Sequence, residues 1–158
     1  MVELWRDSQH CDADLQVGNR SFQVHRLVIA GCSTYLRAQL KHGGRFATGE
    51  AGQPLTITAE EVDPDAFEAC LEFMYTGQCM ISGGQSNMLA RLLGTAHFLG
   101  MENLRDAAES EMKVHIDAEN CLDTWAFAEQ MCLAELERTS GEVAGKHFEQ
   151  VVRSGEFV

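Results

Sequence analysis

Prolines, basic residues and long hydrophobic runs are all scarce in this chain of 158 residues. It has two prolines, and its 12 lysines and arginines are outnumbered by 24 aspartates and glutamates, which gives a formal charge of -12. Phosphate backbones and anionic lipids repel such a chain, so we expect no nucleic-acid or membrane partner. No apolar run approaches the roughly 18 residues of a membrane-spanning helix. Met1 is not followed by a charged and then apolar leader, and we expect a cytoplasmic or nuclear protein.

Motifs that carry chemistry are also missing. No Cys-x-x-Cys or His-x-x-x-His pair converges on a zinc ion, and the pairs Gly43-Gly44 and Gly83-Gly84 lack the lysine of a phosphate-binding loop. His25 with Asp12 and Ser33 is the most tempting catalytic trio, but no Gly-x-Ser-x-Gly elbow surrounds the serine. We expect His25 to be a core or capping residue. The protein is therefore expected to be no enzyme and to need no cofactor or metal.

The six cysteines lie far apart, mostly among apolar neighbours, in a chain with 45% hydrophobic residues. A chain of this length sustains one ordinary hydrophobic core and needs no disulfides to stabilise it. We therefore expect reduced thiols and a chain that folds alone. Its partner is expected to be another protein.

Alternating apolar and polar residues predict strands near the N-terminus. Residues 13–17 and 21–24 alternate on either side of Gly18-Asn19, a pair that suits a turn with positive φ, so a β-hairpin is expected. The pattern LTIT at 55–58 predicts a third strand, and residues 78–81 a short edge strand. The glycine-rich segment 41–54 predicts an exposed loop.

Capping residues and helical spacing predict the helices. LVIAG (27–31) is typical of a short helix that ends at its glycine. Ser33 is predicted to cap a second helix. Asp63-Pro64 predicts a helix start and Thr76-Gly77 its end.

Apolar residues at helical spacing predict further helices up to Gly100 and over residues 104–112. Asn120 is expected to cap the next helix. A last helix is expected to carry Ala144, Phe148, Val151 and Val152 on one face. A hairpin followed by mixed strands and helices predicts an α+β fold.

Several segments resemble the BTB domain, also called POZ. CDADL (11–15) resembles the family's opening Cys-Asp-Val-x-Leu, FQVHRLVIA (22–30) its Phe-x-x-His-Arg-x-Val-Leu-Ala, and STYLRA (33–38) its Ser-x-Tyr-Phe-x-Ala. LEFMYTG (71–77) is similar to Leu-x-Phe-x-Tyr-Thr-Gly, and AHFL (96–99) to a helix end Ala-x-x-Leu. The resemblance implies the BTB/POZ fold, a small β-sheet flanked by a cluster of α-helices.

The C-terminal part resembles the two-helix 3-box of kelch-like (BTB-BACK-kelch) proteins. DAENCL (117–122), AFAE (126–129) and HFEQV (147–151) carry this likeness. It implies a BTB/POZ domain over 1–116 and a 3-box helical pair over 117–158. It also implies the substrate-adaptor part of a cullin-3 RING E3 ubiquitin ligase, with the N-terminal region of cullin-3 as partner.

The resemblance also implies where the cullin would bind. The family's contact includes a hydrophobic-x-Glu triplet, where this chain has Gly44-Arg45-Phe46, so Phe46 is expected as the apolar anchor and Glu50 as the acid. The residues assigned to this contact are Phe46, Glu50, Tyr75, His97, Phe98, Asn120 and Leu122.

A homodimer interface is implied as well, although the dimer helix before the hairpin is shorter than in the family. Asp12 and Arg26 match a charged pair at the base of that interface, and the alternative is a salt bridge within one chain. Leu4 and Trp5 are either interface residues or a staple onto the body. The alternative function is a BTB oligomerisation scaffold, of corepressor-recruiting or structural type, that does not bind cullin; the missing glutamate favours it and the 3-box opposes it.

Overall fold

The computed structural model describes residues 2–41, 55–57, 62–78 and 86–148. Contacts within the chain group it into two compact units, residues 1–105 and 106–158, which are described in turn. The division predicted after residue 116 stays a prediction. No described helix is both long enough and apolar enough to cross a membrane.

The first unit contains a three-stranded sheet. β1 (Ala13–Val17) and β2 (Arg20–Val24) form the predicted antiparallel hairpin, with Val17 opposite Arg20 and Gly18 in the turn at φ +58°. β3 (Leu55–Ile57) pairs in parallel with β1, so the strand order is β2-β1-β3. The hairpin and the third strand are confirmed, and the sheet with its helices confirms the α+β fold.

Five helices accompany the sheet in the first unit. They are α1 (Val2–Arg6), α2 (Arg26–Cys32), α3 (Thr34–Lys41), α4 (Pro64–Thr76) and α5 (Ser86–Leu99). Asp63 caps α4 as predicted, because its carboxylate accepts the Ala66 N–H at 2.8 Å. Gly77 ends the same helix at φ +71°, where a residue without Cβ is not strained.

The junction of α2 and α3 corrects one expectation. Gly31 does not stop α2, which continues to Cys32 and closes with the Ser33 N–H on the Ile29 carbonyl at 3.0 Å. Ser33 does cap α3, since its Oγ accepts the Leu36 N–H at 3.1 Å. Lys41, the first residue of the predicted loop, is the last residue of α3. Residues 42–54, and residues 79–81 of the edge strand predicted at 78–81, lie outside the described residues.

The core of the first unit is apolar and lies between the sheet and the helices. Among its largest fully buried side chains are those that come from β1, β2, α2, α3, α4 and α5: Leu15, Val17, Val24, Ile29, Leu36, Phe67, Leu71, Leu92, Leu93 and Leu99. Alternation buries one face of β1, and three-and-four spacing buries one face of α4. The alternation in β1 and the helical spacing in α4 therefore determine which side chains of these elements stay exposed at the surface, where a partner can bind.

The second unit is helical. α6 (Glu102–Val114) contains the boundary between the units, and α7 (Cys121–Gln130) and α8 (Ala134–Lys146) follow. Buried side chains of α7, α8 and the turn between them are Cys121, Ala128, Leu133, Leu136 and Ser140. α8 ends at Lys146, two residues before Phe148, and the Phe148 side chain is exposed, so the predicted apolar face stays a prediction. Val151 and Val152 lie outside the described residues.

Candidate protein-interaction surfaces

The N-terminal helix α1 lies against α4 of its own chain. The indole of Trp5 stacks on the phenol ring of Tyr75, with 4.5 Å between the centroids and 1° between the planes. Arg6 adds a loose ion pair with Glu72 at 3.8 Å. Trp5, which is expected in the dimer contact, thus packs on Tyr75, which is expected in the cullin contact. Within the single chain, Trp5 holds α1 against the body of the domain.

His25 is a buried core residue that ties Tyr75 to the N-terminal segment. Its backbone N–H donates to the Tyr75 hydroxyl at 2.9 Å, and its Nδ1 lies 2.9 Å from the same oxygen. Its Nε2 lies 3.0 Å from the Gln9 carbonyl, which can only accept. A neutral ring with the proton on Nε2 satisfies every contact, because the Tyr75 O–H then donates to Nδ1. Burial raises the pKa of Tyr75, although the His25 N–H acts in the opposite sense.

Asp12 meets Arg26 through the backbone. Its Oδ1 accepts the Arg26 N–H at 2.7 Å, at the first residue of α2. His25 occupies the N-cap position of that helix without a capping side-chain bond, and Asp12, the residue before β1, supplies the acceptor for the first amide of the helix. The two residues are therefore neighbours within one chain, and their role between two chains stays a prediction.

The end of α5 holds the next pair of predicted residues. His97 is exposed in the last turn, and Phe98 is half-buried against Tyr35, with ring centroids 4.7 Å apart. Phe98 thus offers only part of its ring to a partner, whereas His97 is exposed.

The start of α7 differs from the expectation for Asn120. Asn120 is at the N-cap, but its side chain makes no capping bond; its Oδ1 accepts the Asp117 N–H at 3.0 Å and its Nδ2 donates to the His115 carbonyl at 2.9 Å. Asp117 returns the contact by accepting the N–H groups of Glu119 and Asn120, each at 2.9 Å. The two side chains therefore shape the turn before α7.

A family model for the BTB/POZ domain matches residues 1–116. The chain belongs to the BTB/POZ domain family. This BTB protein is accordingly a protein-interaction module, and its surfaces are to be judged as docking surfaces.

The BTB unit and the helical unit each present side chains that the sequence did not single out as contacts. On α7, Trp125 is 42% exposed one turn after the half-buried Leu122. On α2, Leu27 is 80% exposed. The sequence could have indicated Trp125 as a contact residue, because it lies one helical turn after Leu122. The exposure of Leu27 could not be predicted, because Leu27 lies within an apolar run.

Two predicted contact residues of the BTB chain, Phe46 and Glu50, lie outside the described residues. Cys11, Cys32 and Cys132 are free thiols. Burial raises the pKa of the Cys32 thiol, which keeps it protonated and weakly nucleophilic. In the part of the chain that the structure describes, no three acidic, histidine or cysteine side chains are grouped to hold a metal ion.

Proposed function

We propose that this BTB protein is a substrate-adaptor component of a cullin-3 ubiquitin ligase, in the cytoplasm or nucleus. The observation that carries the proposal is the helical pair α7 and α8, which follows the BTB match at the position of the 3-box resemblance. Helices that expose apolar side chains suit a partner that docks a helix or an apolar segment. The BTB domain and this pair together bind the N-terminal region of the cullin.

Two groups of exposed and half-buried side chains support this docking, one in each unit. Trp125 and Leu122 lie one turn apart on α7, and His97 precedes the half-buried Phe98 at the end of α5. Large aromatic side chains that become buried contribute most to the affinity of protein interfaces. Truncation of Trp125 is therefore expected to lower the affinity for the cullin more than truncation of the other named side chains.

Calorimetry with the purified N-terminal domain of cullin-3 tests the proposal. We expect saturable heat at micromolar concentrations for the wild type, and an affinity about tenfold or more weaker for Trp125→Ala. Val114→Ala is the matched control, because Val114 is 76% exposed on another helix of the same unit. An absence of heat at tens of micromolar of folded protein would overturn cullin binding.

A homo-oligomerising scaffold is the second candidate. The exposed Leu27 on α2 favours it, as does Leu4, which is exposed on α1. Large apolar side chains at the surface are suited to burial in an interface. We expect multi-angle light scattering to give a dimer mass for the wild type and a monomer mass for Leu27→Glu, with Val114→Glu remaining a dimer.

Asp12→Asn separates the two roles of Asp12 in the same experiment. Asparagine keeps an oxygen that accepts the Arg26 N–H and removes the charge. A dimer that depends on the charge of Asp12 dissociates in this variant, while the hairpin and α2 stay intact. A monomer mass of the wild type at every concentration contradicts the scaffold and leaves the calorimetric test of cullin binding unaffected.

A further inference from the structure

β2 is an outer strand of the described sheet, and no described strand pairs with its far edge. The two-residue turn makes Val17 and Arg20 a hydrogen-bonded pair, and such pairs alternate with non-bonded pairs along an antiparallel ladder. Ser21 and Gln23 therefore direct their N–H and C=O groups away from β1. Among the residues that the structure describes, none donates or accepts a hydrogen bond at these groups. An open edge of this kind is a template for another strand.

A groove with a volume of about 450 Å³ lies beside this edge, lined by residues of β2, α4 and α1. Ser21, Phe22 and Gln23 line it in succession. Consecutive side chains of a strand point to opposite faces of a sheet, so three neighbours border one cavity only along the edge of the strand. We call this cavity the β2-edge groove. It gives an incoming segment access to the open backbone groups.

The wall of the β2-edge groove on α4 is acidic. Glu68 and Glu72 lie one turn apart there. Glu68 accepts from Arg20 at 2.7 Å, whereas Arg6 stands 3.8 Å from Glu72 with its side chain 64% exposed. A basic side chain from outside can therefore replace Arg6 at Glu72 with little loss.

Two aromatic residues, Trp5 and Phe22, also line the groove, as do Arg6 and Ser8. Aromatic faces accept the aliphatic stems and the charged heads of lysine and arginine. The cation of Arg20 already lies 5.0 Å from the centroid of the Phe22 ring, which shows that this ring is placed to meet a cation.

We propose that the β2-edge groove binds an extended, basic segment of a partner protein, which adds to the sheet as a strand beside β2. Main-chain hydrogen bonds to Ser21 and Gln23 hold the segment, and alternate lysine or arginine side chains reach Glu68 and Glu72. The chain's charge of -12 attracts a basic segment. The proposal goes beyond cullin binding and does not depend on it.

Fluorescence anisotropy with a short labelled peptide that alternates lysine and threonine tests the proposal. We expect saturable binding to the wild type, and affinity at least about tenfold weaker for a matched peptide with glutamate in place of lysine. We expect Glu68→Gln combined with Glu72→Gln to weaken binding about tenfold. Glu119→Gln combined with Glu129→Gln is the control, because it makes the same change of charge at exposed positions of the second unit.

Ser21→Pro tests the backbone contact separately from the charge. Proline removes an N–H that faces away from β1, and edge positions of this kind accept it. We expect binding to fall about tenfold while the thermal unfolding midpoint shows that the variant is folded.

Amide hydrogen exchange on the wild type gives a second measurement if Ser21→Pro does not fold. Peptide binding is expected to slow exchange at Ser21 and Gln23 about tenfold or more, because their N–H groups become bonded. Three results overturn the proposal: equal affinity for the lysine and glutamate peptides, unchanged exchange at these two amides, or a self-associated wild type in which the amides are already protected by a second copy.

Discussion

The ring of Trp5 lies parallel to the ring of Tyr75, and the Tyr75 hydroxyl holds both the backbone and the ring of His25. Tyr75 on α4 thereby connects α1 with the start of α2. Through His25 it also connects to Gln9 in the segment that follows α1. Stacked aromatic pairs contribute about 0.5–1.5 kcal/mol beyond the area they bury. The short helix α1 is too small to be stable alone and depends on this contact.

Tyr75→Phe keeps the stack and removes the hydroxyl. The His25 N–H and ring nitrogen then lose their partner in a partly buried position, and we expect the free energy of unfolding to fall by about 1–3 kcal/mol. Urea denaturation measures the change. Tyr35→Phe is the matched control, because within the described residues the Tyr35 hydroxyl makes no hydrogen bond, and it is expected to change stability by less than about 0.5 kcal/mol. Equal effects of the two substitutions would contradict the assigned role of Tyr75.

The contacts of Tyr75 show which features a sequence can predict. The start of α4 follows from the adjacent residues Asp63 and Pro64, and both the cap and the helix are present. The hairpin likewise follows from alternation over a short stretch. The stack of Trp5 on Tyr75 depends on distant segments meeting, and no local pattern encodes it.

A wrong prediction at Gly31 and a partly correct one at Asn120 have the same physical origin. Gly31 has a low helix propensity, worth about 1 kcal/mol against alanine, and the surrounding helix α2 overrides it. Asn120 has the chemistry of a helix cap, but it bonds back to Asp117 because both side chains compete for the same turn. A propensity states what a residue can do, and the neighbouring groups determine which contact it makes.

Ser33→Ala removes a hydroxyl with two buried contacts. Its Oγ donates to the Leu99 carbonyl at 2.6 Å and accepts the Leu36 N–H at 3.1 Å, so it joins the start of α3 to the end of α5. We expect a loss of about 1–3 kcal/mol in the free energy of unfolding. Ser110→Ala, at an exposed helical serine, is expected to be neutral or slightly stabilising in the same urea titration. A neutral Ser33→Ala would contradict the joining role.

Asp63→Asn tests an ion pair through its dependence on pH. Burial alone would raise the pKa of Asp63, but the ion pair with Arg91 and the hydrogen bond from the Ala66 N–H hold it below its ordinary value. A lowered folded-state pKa stabilises the fold above the unfolded-state pKa of about 3.8, and this stability is lost as pH falls through the folded value.

Asparagine keeps the cap and removes the charge at position 63. We therefore expect Asp63→Asn to be less stable than the wild type at pH 7, with the difference shrinking below about pH 4 as Asp63 is protonated. Asp14→Asn, at an exposed residue of β1, is the control. Urea titrations at several pH values measure both differences, and a gap for Asp63→Asn that does not depend on pH would contradict the ion pair.

Gly100→Ala is expected to be the most damaging small substitution in the first unit. Gly100 has φ +65°, which strains any residue with a Cβ, and an added Cβ would lie 1.9 Å from the Thr34 Oγ1. Strain and overlap together are expected to cost about 3 kcal/mol or more, because Thr34 lies at the start of α3 and cannot move freely. Gly31→Ala is the matched control, since Gly31 is helical and an added Cβ meets nothing within 4 Å.

The control is expected to stabilise the protein by about 0.5–1 kcal/mol, because alanine restricts the unfolded chain more than glycine does. The double variant Gly100→Ala with Thr34→Ala separates the two causes. Removing the threonine hydroxyl relieves the overlap but leaves the backbone strain, so we expect part of the loss to remain, about 1 kcal/mol or more. Full recovery in the thermal unfolding midpoint would show that the positive φ of Gly100 is not a constraint, and no recovery would show that Thr34 is not the obstructing side chain.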